Sequence, residues 1–202
     1  MAYSRFTLNE ARTQFQLEFN TTQNLFPSVA KVKIGDFLAQ TLERNVPLAL
    51  AINTEKARSE MIIAPILVEF RELADPPISL FSGVTFNVDR KQGLTGPCDF
   101  IICRSPDQLF ITAPVIAIAE AKNENINRGM GQCAAEMYVV QLFNEREGNR
   151  ISTIYGVVTT GDHWKFLKLE VQALYINIKE YYLNDLDKIL GILLHIIQTS
   201  SA

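Results

Sequence analysis

The chain has 202 residues, 48% of them apolar and 20% charged, with a formal net charge of −3. That is enough chain for one domain with a full-sized core. It argues against a protein that coats nucleic acid without specificity, which would carry a basic excess, and no uninterrupted apolar run reaches membrane-spanning length. Met1 to Arg5 offers no hydrophobic signal core, and Cys98, Cys103 and Cys133 are odd in number and lack metal-type spacing. These features predict free thiols in a reducing cytoplasm and no structural zinc.

Thr7-Leu8-Asn9-Glu10 has the form of a capping box and opens a predicted short helix through about Phe15. A second helix is predicted from Gly35-Asp36 to about Arg44, closed by Asn45 and Pro47. Thr54 caps a longer one that runs to about Leu73, with a kink or break near Pro65. The period then becomes extended. Strands are predicted over Ile78–Val88, Asp99–Arg104 and Leu109–Ala121, with Pro114 a candidate bulge in the third. Asn127 caps a helix over about Arg128–Glu147, and a hairpin spans Ile151–Thr160 and His163–Glu170 across Gly161-Asp162. An amphipathic helix follows Asn184. The order predicts an α/β fold, of the α+β type with a mixed central sheet flanked by helices.

Chemistry concentrates at Glu120-Ala121-Lys122, which ends the apolar run Pro114–Ala119. Residues two apart on a strand project from the same face. The preceding run reads as a strand buried on both faces, so two charges at its end are costly unless something satisfies them. Asp99 lies one predicted hairpin upstream. An isolated Glu-x-Lys is more often an exposed ion pair; the buried run and Asp99 point instead to an active site. Glu60 has Ile63, Ala64 and Leu67 at i+3, i+4 and i+7, which puts it on the apolar face of an ideal helix. Gln132 follows Gly129 and Gly131, which permit close backbone approach near a helix start. Trp164 and Phe166 read as sheet packing, His163 as a surface or stacking residue, His195 as a polar-side residue of the last helix, and Glu124 as a solvated carboxylate.

Asp99, Glu120-x-Lys122 on the next strand, and Gln132 on the next helix together resemble the PD-(D/E)XK nuclease superfamily, the restriction-endonuclease-like fold. The hairpin Val157–Trp164 is also similar to type I restriction-subunit nuclease domains. The pattern departs from the superfamily in two places: Cys98 replaces the proline before the aspartate, and Glu136 stands where a tyrosine follows the glutamine. The resemblance implies one domain, with an N-terminal helical extension over 1–53, a nuclease-like core over 54–170, and a C-terminal strand and helix over 171–202. It implies Mg²⁺, or Mn²⁺, held by Asp99, Glu120, the backbone carbonyl of Ala121 and Glu60. Lys122 would serve the attacking water and transition state, and Gln132 the substrate or Lys122. The implied function is metal-dependent phosphodiester hydrolysis with DNA as partner, without a membrane, and with a homodimer open because cutting two strands often uses two active sites. The rival expectation is a catalytically inactive nuclease-like fold that binds a protein or nucleic acid.

Overall fold

A computed structural model of the chain describes residues 3–89, 94–122, 125–149 and 151–200. Its helices are α1 Leu8–Phe15, α2 Asp36–Ile52, α3 Glu55–Arg58, α4 Ala64–Leu73, α5 Ile126–Arg146 and α6 Leu186–Thr199. The strands are β1 Glu18–Asn20, β2 Ser79–Asp89, β3 Leu94–Cys103, β4 Val115–Ala121, β5 Thr153–Thr159, β6 His163–Glu170, β7 Ala173–Ile176 and β8 Tyr181–Tyr182. They form one mixed sheet in the order β1-β7-β6-β5-β4-β3-β2, with β8 alongside β6. Thus the fold is α/β with a mixed sheet flanked by helices. The expected turn at Arg90–Gly93 and Glu124 lie outside the described residues.

Antiparallel pairing joins β2, β3 and β4, whereas β4 and β5 run parallel and are linked through α5. A parallel pair needs such a crossover, because a tight turn cannot return the chain to the same end of the sheet. The helix is held close by small residues. A side chain at Gly156 would come 2.4 Å from Met137 Sδ and 2.7 Å from Cys133 Sγ. At its far end, Asn144 accepts from the Val115 N–H at 2.9 Å and donates to the Val115 carbonyl at 2.7 Å. This completely buried amide satisfies the first residue of β4 and fixes α5 along that strand. The opposite face is covered by α6 and the segment before α2: Phe26 packs edge-on to Phe166 at 5.6 Å and His195 at 6.1 Å. Trp164 is fully buried and donates to the Gly161 carbonyl at 2.8 Å, so it packs the sheet. His163 stacks on Tyr182 at 4.8 Å.

The observed elements differ from the predicted ones where proline was read as a stop. Helix α2 continues through Pro47 to Ile52 and ends at Asn53, whose φ of 53° makes the left-handed cap. Just before Pro65, where a kink or break is expected, the helix widens. Thr54 caps α3, but Ser59–Ile63 forms a π turn before α4 begins. Pro65 lacks the N–H that would bond the Met61 carbonyl, and Asn45 Nδ2 donates to that carbonyl at 3.1 Å instead. The expected strand from Leu109 forms only from Val115; Leu109 and Phe110 are exposed in the preceding loop. Helix α5 starts two residues early, capped by Asn125 and not Asn127, with its side chain accepting from the Arg128 N–H at 3.3 Å.

Candidate active site

Strands β3 and β4 pair Phe100 with Ala119 and Ile101 with Ile118. Continued by one residue, that register sets Asp99 opposite Glu120, on the same face of the sheet. Asp99 Oδ2 accepts from the Ala121 N–H at 2.8 Å, which anchors the aspartate across the strand end. Lys122 follows Glu120 on that face and donates from Nζ to Glu120 Oε1. A side chain at Gly129 would meet Val158 Cγ1 at 2.5 Å and Lys122 Cγ at 3.0 Å, so α5 lies directly against this face. Gln132 is on its next turn and donates from Nε2 to Glu136 Oε1 at 3.0 Å. The structure therefore brings Asp99, Glu120, Lys122 and Gln132 together.

It does not bring Glu60. That side chain is 62% exposed and pairs with Lys56 at 3.6 Å. The π turn explains the difference. One extra residue in a turn rotates the preceding segment by about 100° relative to α4. An ideal wheel drawn from Glu60 to Leu67 therefore points it the wrong way. Glu55 takes the inward place, with Oε2 at 3.7 Å from Lys122 Nζ. Helix α3 is held there by Arg58, which donates to the Thr160 carbonyl at 2.8 Å and Asp162 Oδ1 at 2.6 Å.

Two glutamates in the cluster are sealed from solvent: Glu120 is 1% exposed and Glu136 0%. Each keeps one oxygen, Oε2, with no hydrogen-bond partner. Burial, followed by the charges of Glu136 and Asp99, raises the Glu120 carboxyl above its ordinary range against the pull of Lys122. Burial likewise pushes Glu136 up to about 8, although the Gln132 hydrogen bond holds it back. Burial opposes the charge on Lys122, but Glu120, Glu55 and Asp99 outweigh it and raise the ammonium above its usual value. Burial is the first cause for both carboxyls, and the carboxylates that surround the one ammonium add to it. Lys122 is thereby held as a cation, suited to stabilising charge and not to removing a proton.

A cleft of about 690 Å³ opens onto the cluster, lined by Glu55, Lys122 and Gln132 and by Arg5 and Arg128 at the rim. Its outer wall is the N-terminal segment. The Phe6 carbonyl and Leu8 nitrogen lie so near α5 that a side chain at Gly131 would meet them at 2.3 and 2.5 Å. The close approach anticipated at these glycines is thus made by the protein's own chain, β5 at Gly129 and residues 6–8 at Gly131.

Among the described residues, no three His, Cys, Asp or Glu side chains form a ready metal cage. Mg²⁺ does not require one, since one or two carboxylates with waters and phosphate suffice. Buried carboxylate oxygens lacking partners are the hard donors such an ion takes, so the residues present fit it. Sequence reasoning passed over Glu136 and Glu55. Glu136 was visible in the Gln132-x-x-x-Glu136 spacing, which puts both on one face of a helix; Glu55 was hidden by the π turn. Comparisons with protein families, curated proteins and solved structures find no match for this chain.

Proposed function

We propose that this protein is a divalent-cation-dependent nuclease of the PD-(D/E)XK type that hydrolyses phosphodiester bonds in DNA. The observation that carries the reading is Glu120: a sealed carboxylate at a strand end, bonded to Lys122, beside Asp99, with one oxygen unpartnered. A scaffold gains nothing from burying that charge, and a buried ion pair is weak support for stability. Asp99 and Glu120 are the residues that would hold Mg²⁺ or Mn²⁺. Bound there, the ion would offset the surplus negative charge, polarise the phosphodiester and make a water acidic enough to attack.

The remaining work falls to the chain. Lys122 presents a fixed ammonium to a phosphoryl oxygen, where charge grows as the bond to the leaving oxygen breaks. Gln132 lines the same wall and orients the substrate or Lys122. Arg5 and Arg128 are exposed at the rim and attract flanking phosphates, which gives local affinity despite the overall charge of −3. The test is cleavage of plasmid, linear and single-stranded DNA with Mg²⁺ or Mn²⁺, alongside Lys122→Ala. Metal-dependent cleavage by the wild type alone supports the reading. Folded wild type that cuts none of them returns the protein to the role of an inactive binding module.

A further inference from the structure

The groups proposed to act on a phosphodiester lie at the base of the cleft and not at its mouth. The Lys122 side chain is 17% exposed and that of Glu120 1%. A strand must therefore carry its phosphate inward to reach them. The wall formed by residues 4–8 is anchored and does not stand aside. Tyr3 is buried and donates from its hydroxyl to the Phe86 carbonyl at 2.7 Å. Its ring lies so close to Gly96 that a side chain there would meet Cδ2 at 3.0 Å. Phe6 is buried with its ring centroid 5.3 Å from that of Phe15, which stacks on Tyr138 of α5 at 4.3 Å. Glu55 adds to the lining from α3, which Arg58 ties to the Thr160 carbonyl and Asp162.

The space left by these fixed parts is about 690 Å³, within the about 300–1,000 Å³ of pockets that enclose one small ligand. A duplex does not fit such a space, since its major groove alone is about 12 Å wide. With a persistence length of about 150 base pairs it also stays nearly straight over a short site. Its phosphates reach the rim but cannot descend to Lys122 unless the strands part. An unpaired strand bends freely and can lower one phosphate at a time. We infer that the cleft takes a single strand of DNA and excludes the duplex, with Arg5 and Arg128 holding phosphates at the rim while another descends to Lys122. The inference rests on the nuclease reading above for its choice of a phosphate polymer, and deepens it by naming the form of DNA. Phe6 is the one aromatic side chain in the lining, and its burial leaves no platform for stacking bases. The hold is therefore on the backbone and tolerates any sequence.

The test is fluorescence anisotropy of a labelled mixed-sequence oligonucleotide, single-stranded or annealed to its complement, titrated with the full-length protein in EDTA at several salt concentrations. Chelation prevents metal-dependent cutting, so binding is read apart from activity. The single strand is expected to bind about tenfold or more tighter than the duplex, the worth of one charge-assisted hydrogen bond made inside the cleft. Each phosphate contact on a single strand contributes about −0.7 to the slope of log affinity against log salt, so Arg5→Ala combined with Arg128→Ala should flatten that slope by about 1.4. Equal or tighter binding of the duplex overturns the inference and leaves the nuclease reading to its own cleavage assay. Binding of the single strand that the double variant, folded by circular dichroism, leaves unchanged in strength and slope overturns it too, as does binding of neither form. A wild type that prefers the single strand but cuts no DNA with Mg²⁺ or Mn²⁺ supports the inference and removes only the nuclease.

Discussion

Removing the charge of Glu136 should change how stability depends on pH, in a direction fixed by its burial. In the unfolded chain this carboxyl titrates near 4.5, and in the fold burial pushes it up to about 8. The native state therefore binds the proton more tightly. Below the unfolded value both states are protonated and the group costs nothing; as pH rises toward the folded value, the unfolded state gains the advantage. Each unit of separation is worth about 1.4 kcal/mol, so metal-free wild type should lose on the order of 3–5 kcal/mol across this window. That is a large share of the 5–15 kcal/mol typical of a whole domain. Glu136→Gln has no charge to form, so its stability should match wild type near pH 5 and exceed it by roughly that amount near pH 8. Glu120 is raised for the same reason and leaves a shallower slope in the variant. Urea unfolding in a chelator at several pH values measures both proteins. Parallel pH dependences for the two would show that Glu136 does not sit sealed as described.

Lys122→Met should abolish DNA cleavage, by about a hundredfold to a thousandfold or more for the lost transition-state contact, while Mn²⁺ binding measured by calorimetry is kept or tightened. The metal-free variant should also unfold more easily than wild type, because Glu120 loses its ammonium partner. Glu55→Gln should reduce Mg²⁺-dependent cleavage and Glu60→Gln should leave it near wild type, since only Glu55 reaches Lys122; equal effects in a cleavage assay would refute the placement of α3. Gly131→Ala should cost about 1–3 kcal/mol in urea unfolding, because the new methyl meets the backbone of residues 6–8 and not a flexible side chain. The same variant should expose the N-terminal segment to limited proteolysis.

What the sequence made legible followed from local pattern. The capping box at Thr7–Glu10 forms as read, with Glu10 Oε2 accepting from the Thr7 N–H at 2.8 Å. The β5–β6 hairpin, α6 and the mixed sheet also follow the periodicity of their own residues. Asp99, Glu120 and Lys122 could be brought together because strand parity and one antiparallel pairing are enough to place them. Glu60 could not be placed that way. Its wheel position assumed an unbroken helix, and the π turn before Pro65 depends on a carbonyl being taken by Asn45 from another helix. Continuation of α2 past Pro47 is likewise a tertiary outcome, stabilised by burial of Ala49 beyond the proline. The wall made by residues 4–8 is the least legible part. It depends on a contact with Gly131 more than a hundred residues away, and nothing in its own sequence announces that contact.

The division between legible and hidden parts has a structural cause. Strands β3 and β4 and helix α5 are consecutive in the chain, and they bring Asp99, Glu120, Lys122, Gln132 and Glu136 to one place. At β4 the sheet changes from an antiparallel neighbour to a parallel one, and the crossover helix leaves from the strand's carboxyl end. A crevice outside that end is a consequence of the connection itself, before any side chain is chosen. Short-range reasoning finds the residues that line it, because neighbouring elements are positioned by pairing rules. The residues that close it, Arg5, Glu55 and the backbone of 6–8, come from pieces remote in sequence and are set by packing alone. Charge follows the same division. The buried core of the cluster holds Glu120 and Glu136, with Lys122 as the nearby ammonium, whereas Arg5 and Arg128 stand exposed at the rim. Under the nuclease reading proposed above, negative charge inside and exposed positive charge outside would place a cation at the base and an anionic polymer at the mouth.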